Sequence, residues 1–340
     1  MPIAILGRCG FAIIAMILWL QIDKPQYEYP TLLAQITCLD PIGTLAFIPS
    51  IVCIFLALQW GGATLISSGP RIIVPLIVFC ALFLALCAVQ VLWPANATVP
   101  IHVIRQKSVT GSTIFAVMQA GSTLLVMYFL PIWFQAVRGY SAMQSGIRTT
   151  PMVLNQSVMA ILSSSFTQKI WYYVPAMVTS SVLTCVAGGL LSITNQAKHQ
   201  SHWIEYECLY GFGTGMVAQT SNLAVQTVLP QYNISTGVAL VFFAQQLRGT
   251  IFVSVGKNLL TFAMVTQLSN VADLDAQAIS GTSLTDLRNV VPPPYLPMVK
   301  SAFNYDVIRA FLVAIGLSSG MFLASLMTEW KDIRVGGVKQ

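Results

Sequence analysis

Residues 72–93 read IIVPLIVFCALFLALCAVQVLW, and this run decides the class of fold. It contains no acidic, basic or imidazole side chain, and Gln90 is its one amide. A helix needs roughly 20 mostly apolar residues to cross the hydrocarbon core of a bilayer. A helix also satisfies its own backbone hydrogen bonds, which lipid cannot do for it. The run therefore predicts a transmembrane helix.

Working outward, further runs of the same kind occur at about 3–20, 42–60, 110–134, 147–166, 172–194, 206–229, 235–264 and 306–328. With 72–93 they predict nine spans and an all-α, polytopic membrane fold. The run at 147–166 is the most polar, with Arg148, Pro151, Asn155 and several serines. It requires its polar face to lie against other helices. The run at 3–20 lacks a basic segment before it and a small-residue cleavage site after it, so it reads as a span rather than a signal peptide. Two connections stand out. Segment 21–41 carries Lys24, Pro25, Pro30, Asp40 and Pro41, and 265–303 carries Asp273, Asp275, Asp286, Arg288, Lys300 and the run Pro292-Pro293-Pro294. Both are expected outside the membrane.

Composition agrees. The 340 residues are 56% hydrophobic and 8% charged, with a mean hydropathy of +0.73. Soluble domains carry about 25% charged residues. The net charge of +6 is spread thinly. A nucleic-acid-binding protein would concentrate such charge in a stripe, so that class is excluded. The seven cysteines form no CxxC pair and mostly sit in apolar runs, which argues for packing rather than a disulfide framework or zinc site. Basic residues barely separate the two sets of connections. The tail, with Lys331, Arg334 and Lys339, favours a cytoplasmic C-terminus.

No enzymatic constellation is visible. His199 and His202 sit three apart near Glu205 and Glu207, a spacing more often found in a solvated loop than at a metal, and no metal or cofactor is expected. Gly211, Gly213 and Gly215 form a GxGxG, but no strand precedes it to make a nucleotide loop. Glycines that let helices pack closely are the better reading, for Gly211 and Gly215 here and for Gly249 in the next span. The amides are more informative. Gln219, Asn222 and Gln226 recur at helical spacing and should share a face. Gln119, Gln245 and Gln246 also lie inside spans. Polar side chains in a membrane avoid lipid and turn toward the bundle interior or a watery cavity. Two readings stand side by side: these amides line a substrate cavity, or they only bond helix to helix. No carboxylate occupies the middle of an expected span, so a proton site is not visible.

A set of short motifs then gives a resemblance. Leu39-Asp40-Pro41-Ile42-Gly43 and Leu56-Ala57-Leu58-Gln59-Trp60-Gly61-Gly62 come first. Then follow the segment 128–139 (YFLPIWFQAVRG), Gln144-Ser145-Gly146, Gly211-Phe212-Gly213-Thr214-Gly215 and Phe243-Ala244-Gln245-Gln246-Leu247. Glu329-Trp330-Lys331 closes the series. Together they resemble the major facilitator superfamily, and within it the fungal fourteen-span drug:proton antiporter branch. The resemblance implies that 1–20 is a remnant of the N-terminal bundle, its sixth span. Residues 21–107 would hold an interfacial segment and two linking spans, 108–330 the C-terminal six-helix bundle, and 331–340 a cytoplasmic tail. It also implies that most of the N-terminal half is missing. Glycine is usual in the family where this chain has Trp171 and Arg248, and often where it has Glu205.

The function implied is efflux of a hydrophobic small molecule, a drug, toxin or secondary metabolite, across the plasma membrane by a truncated family member. The bilayer and the substrate would be its partners. The alternative is a transport-inactive fragment, or an accessory half that pairs with a separate N-terminal half.

Overall fold

The computed structural model describes residues 41–61, 70–92, 101–193, 202–268 and 295–336. The expected span at 3–20, the segment 21–40 and most of the loop expected at 265–303 lie outside them. Among the described residues the secondary structure is helical, apart from one isolated bridge between Tyr172 and Asp332.

The first described helices are α1 (Pro41–Gly61) and α2 (Pro70–Leu92). A short helix α3 (Ile101–Ile104) leads into α4 (Lys107–Ala136), α5 (Ala142–Ile170) and α6 (Val174–Ser192). Next come α7 (His202–Met216), α8 (Thr220–Val228), α9 (Ile234–Leu268), α10 (Leu296–Met327) and the tail helix α11 (Ile333–Gly336). Helices α2, α4, α6 and α10 are each long and apolar enough to cross a membrane.

Three expectations need correction. The run at 206–229 is not one helix: it stops at Met216 and restarts at Thr220. Gln219 sits in the break with φ −118° and ψ 0°, and the Ala218 and Thr220 N–H groups reach back only three residues, to Gly215 and Val217. The last span begins at Leu296 rather than 306, because Pro297 sits in its first turn, where a proline lacks no needed N–H. With α9 running to Leu268, the loop is shorter at both ends than 265–303.

The termini of α5 show how local sequence sets the helix. Ser141 and Gln144 form a reciprocal capping box at its start. The turn before it uses Gly139 at φ 72°, a conformation that suits glycine. The Ser145 hydroxyl donates to the Pro131 carbonyl at 2.9 Å and ties α5 to α4.

Helix α7 is wedged between α5 and α6, and its GxGxG run is the reason it fits. A Cβ on Gly211 would strike the Met152 carbonyl, and one on Gly215 the Gln156 carbonyl, both on α5. A Cβ on Gly213, on the opposite side, would meet Thr184 of α6. The Ser180 hydroxyl then donates to the Gly213 carbonyl at 2.7 Å. Gly249 lies within α9.

A small polar knot joins α4, α7 and α10. Ser122 Oγ of α4 lies 2.6 Å from the Tyr210 hydroxyl of α7 and 3.1 Å from Ser318 Oγ of α10, and donates to the Ala314 carbonyl at 3.0 Å. Around it, Phe129, Trp133, Phe134, Trp203, Phe303 and Val307 form the main apolar core. At one end, Phe134 and Trp203 stack edge to face at 4.9 Å, and the Trp133 indole donates to Asn304 at 2.7 Å.

Candidate functional site

The break between α7 and α8 creates a pocket. Gln219 and the first turns of α8 share this pocket with the C-terminal part of α5. The volume is about 240 Å³. Gln219, Thr220, Asn222, Leu223 and Gln226 form one wall, with Met216 at the end of α7. Ser163, Ser164 and Thr167 of α5 form the other, and Ile333 of α11 reaches in from the tail. Asn222 is 6% exposed, and its Nδ2 donates to Gln219 Oε1 at 2.9 Å. Its Oδ1 is buried with no hydrogen-bond partner among the described residues.

Gln219, Asn222 and Gln226 thus come together, even though the helix that spaces them is interrupted. The other amides do not line this pocket. Gln119 is buried within α4, Gln245 is half-buried on α9, and Gln246 is exposed. Gly211 and Gly215 lie against α5 rather than in the pocket wall. The serines at 163 and 164 and Thr167 were legible only as the polarity of an otherwise apolar run. Ile333 gave no signal, since its place depends on where the tail folds.

Several contacts hold the tail. The buried Tyr173 hydroxyl donates to the Glu329 carbonyl at 2.6 Å, and the Glu329 N–H donates to Ser108 Oγ at 3.2 Å. The Ile333 N–H donates to the Trp171 carbonyl at 3.0 Å, and the Arg334 guanidinium lies 4.5 Å over the Trp171 ring. Trp171 closes α5 at φ 65°, the left-handed conformation that glycine adopts without strain. Arg334 also bonds Asp332 at 3.1 Å, and its side-chain and backbone hydrogen bonds hold that carboxyl below the usual range.

His199 lies outside the described residues. His202 Nδ1 sits 3.5 Å from Glu205 Oε2 at an exposed surface, the geometry of a weak surface pair. Glu207 and Asp306 are buried, at 0% and 2% exposure, without hydrogen-bond partners for their carboxyl oxygens among the described residues. The longer α10 places Asp306 well inside a helix, where the sequence had put it at an end.

No family model matches the chain. Curated proteins do. The MFS-type efflux pump MFS1 of Trichophyton rubrum is 36% identical over 324 residues, 95% of this chain and 60% of that protein. The chain belongs to the major facilitator superfamily. Efflux pump aflT of Aspergillus parasiticus is 37% identical over 298 residues, covering 87% of this chain and 58% of that pump. Efflux pump roqT of Penicillium rubens is 36% identical over 307 residues, covering 90% and 57%. This superfamily member is therefore a multi-pass membrane protein that spans about 60% of the length of the curated relatives it matches.

Proposed function

We propose that this chain handles the substrate of a membrane efflux transporter for hydrophobic small molecules, a drug, toxin or secondary metabolite, at the plasma membrane. It is read as a transporter and not as an enzyme. The observation that carries the reading is the broken span: α7 ends and α8 begins at Gln219, beside a pocket of about 240 Å³ that Asn222 and Gln226 also line. Interrupted helices at a polar pocket recur at transporter sites, because non-helical backbone inside a membrane is tolerated where it lines a cavity. The named efflux pumps, similar over 87–95% of this chain, support the same reading.

The test is export of a fluorescent hydrophobic dye from cells lacking their own pumps. Expression of the 340-residue chain is expected to lower dye retention, and Gln219→Ala with Gln226→Ala to restore it. A chain that inserts and folds but leaves retention unchanged defeats the reading. A second reading, an inactive fragment or an accessory half that works beside a separately made N-terminal half, is favoured by the roughly 60% coverage of the relatives. Co-expression with an N-terminal half from such a pump separates the two. Export that appears only then supports the accessory half.

A further inference from the structure

Arg248 lies where a membrane protein can least accommodate a bare charge. It is far along α9 (Ile234–Leu268), about 21 Å from the first residue of that helix at 1.5 Å per residue. That is deep within a hydrocarbon core of about 30 Å, where a side chain gains little by snorkelling. The face it occupies is packed. Val241 and Ala244, on the preceding two turns, are buried, and Phe252, on the following turn, lies where a Cβ on Gly121 of α4 would strike it. Gly237, further back on the same face, sits against Val225 of α8. Helical spacing puts Arg248 on this side of α9, and it is half-buried there.

A guanidinium carries five N–H donors and stays charged in a protein. Among the described residues Arg248 makes no hydrogen bond and no ion pair; the ion pairs there are His202–Glu205, Lys331–Glu329 and Arg334–Asp332. The buried carboxylates of Glu207 and Asp306 have no hydrogen-bond partner either, so neither engages it. The helices around it bring no other charge. Segment 110–134 of α4 and helix α8 hold no acid, base or histidine, and within 241–252 Arg248 is the one charged residue. The Gln245 amide, on the preceding turn, is half-buried and makes no side-chain hydrogen bond among the described residues. Arg148 and Arg309 differ, since each lies over a ring, Tyr140 at 3.9 Å and Tyr305 at 4.5 Å. A desolvated charge without a counter-ion is costly. An ionisable residue inside a span marks a substrate or ion path by default.

Charge and shape together select the ligand. One unpaired positive charge is balanced by one negative charge. A dianion would leave a net charge within the membrane, and a cation would add to the one already there. The planar guanidinium pairs bidentately with a carboxylate, and Gln245 offers a further N–H from the adjacent turn. At this depth the rest of the ligand must be apolar. We propose that Arg248 binds the carboxylate of an amphipathic organic monoanion, an apolar body carrying one ionised acid, and that such acids are a substrate class of this chain. Arg248 is not among the residues that line the pocket between α5 and α8. The inference rests on the export reading for the word substrate, and the binding it describes stands without it.

One apolar body in three charge states provides the test. The full chain in phosphatidylcholine nanodiscs, which hold no anionic lipid to compete, is titrated by calorimetry at neutral pH. The ligands are 9-anthracenecarboxylate, its methyl ester and an anthracenylmethyl trimethylammonium, each corrected for empty nanodiscs. The carboxylate is expected to bind about tenfold more tightly than the other two, the scale of a charge-assisted hydrogen bond. Arg248→Gln should remove that preference and leave the ester unchanged. Arg248→Lys keeps the charge without the fork and should retain part of the preference, so the proposal stays testable if the glutamine variant fails to fold. A carboxylate bound no more tightly than its ester by the unaltered chain overturns the inference, as does a preference that survives Arg248→Gln. Loss of carboxylate binding when a separately made N-terminal half is co-purified also overturns it, because Arg248 would then pair with a carboxylate of that half. Binding in the expected order without cellular export defeats the export reading alone. Export of a neutral dye with no carboxylate preference in nanodiscs defeats this inference alone.

Discussion

Helix α2 and the α7–α8 pair are both membrane segments, and they obey different rules. Helix α2 is apolar on every side: Ile73, Val74, Ile77, Phe83 and Leu84 are all exposed, and Leu86 is its one buried hydrophobic residue among those described. Helix α1, its neighbour in sequence, touches the bundle through Phe47, whose ring lies 4.7 Å from that of Phe243. The α7–α8 pair is short, glycine-rich and interrupted, yet Trp203, Glu207, Tyr210, Val217 and Asn222 along it are buried. Hydrophobicity places α2 in the bilayer but gives it no particular neighbour, since lipid tails are as apolar as leucine. Small residues and buried hydrogen bonds give α7 a unique seat. Sequence hydropathy reports the first property well and the second hardly at all.

The largest effect should come from closing the gap that seats α7. Gly215→Leu drives a side chain into the Gln156 carbonyl of α5 and is expected to cost about 3 kcal/mol or more. Ala85→Leu puts a leucine on the exposed face of α2 and should stay within about 0.5 kcal/mol. Thermal unfolding of the purified variants in detergent measures both. Comparable losses would break the comparison.

The reverse asymmetry concerns charge. Leu84→Arg places a guanidinium on an exposed, lipid-facing position of α2, and an arginine at the centre of a span costs about 2.5–3.5 kcal/mol of insertion free energy. Loss of membrane insertion of α2, read from a glycosylation-tag reporter, is the expected outcome. Normal insertion would mean that α2 is covered by protein rather than lipid.

A smaller loss is expected from the central knot. Tyr210→Phe removes the 2.6 Å contact to Ser122, but Ser122 keeps the Ala314 carbonyl and Ser318 as partners. The cost should be about 1 kcal/mol, in line with interhelical hydrogen bonds in membranes. A loss of several kcal/mol would show that the knot acts cooperatively.

The smallest effect is expected at Trp171. Its φ of 65° costs a bulky residue about 1–2 kcal/mol relative to glycine, while its ring gains about 0.5–1 kcal/mol from Arg334 at 4.5 Å. Trp171→Gly should therefore change stability by only about 0.5 kcal/mol. In an Arg334→Ala background it should stabilise by about 1 kcal/mol. A double-mutant cycle isolates the ring–guanidinium term, and no coupling would show that the tail does not rest on Trp171 in solution.

The outcome for each element depends on which force positions it. The spans at 42–60 and 72–93 matched helices to within two residues, because length against bilayer thickness is all that sets them. The run at 206–229 was misread as continuous. Nothing in its hydropathy marks Gln219 as a break, and the interruption is tolerated only because a pocket lies beside it. Of the six amides that helical spacing and polarity singled out, Gln219, Asn222 and Gln226 line that pocket. Gln119, Gln245 and Gln246 share their polarity but sit elsewhere on α4 and α9.

The amino-acid sequence by itself determined that this chain lives in a membrane as helices, where those at 42–60 and 72–93 run, and which superfamily it resembles. Those properties are local sums: apolar length, turn chemistry and short motifs. Only the tertiary structure decided that Gly211 and Gly215 face α5 while Gly213 faces α6. It alone brought Ser163, Asn222 and Ile333, far apart in the chain, to one pocket. In lipid no hydrophobic force chooses between helix faces, so the choice falls to close backbone approach and paired polar atoms. Both are relations between segments distant in sequence, and hydropathy along a single chain does not encode them.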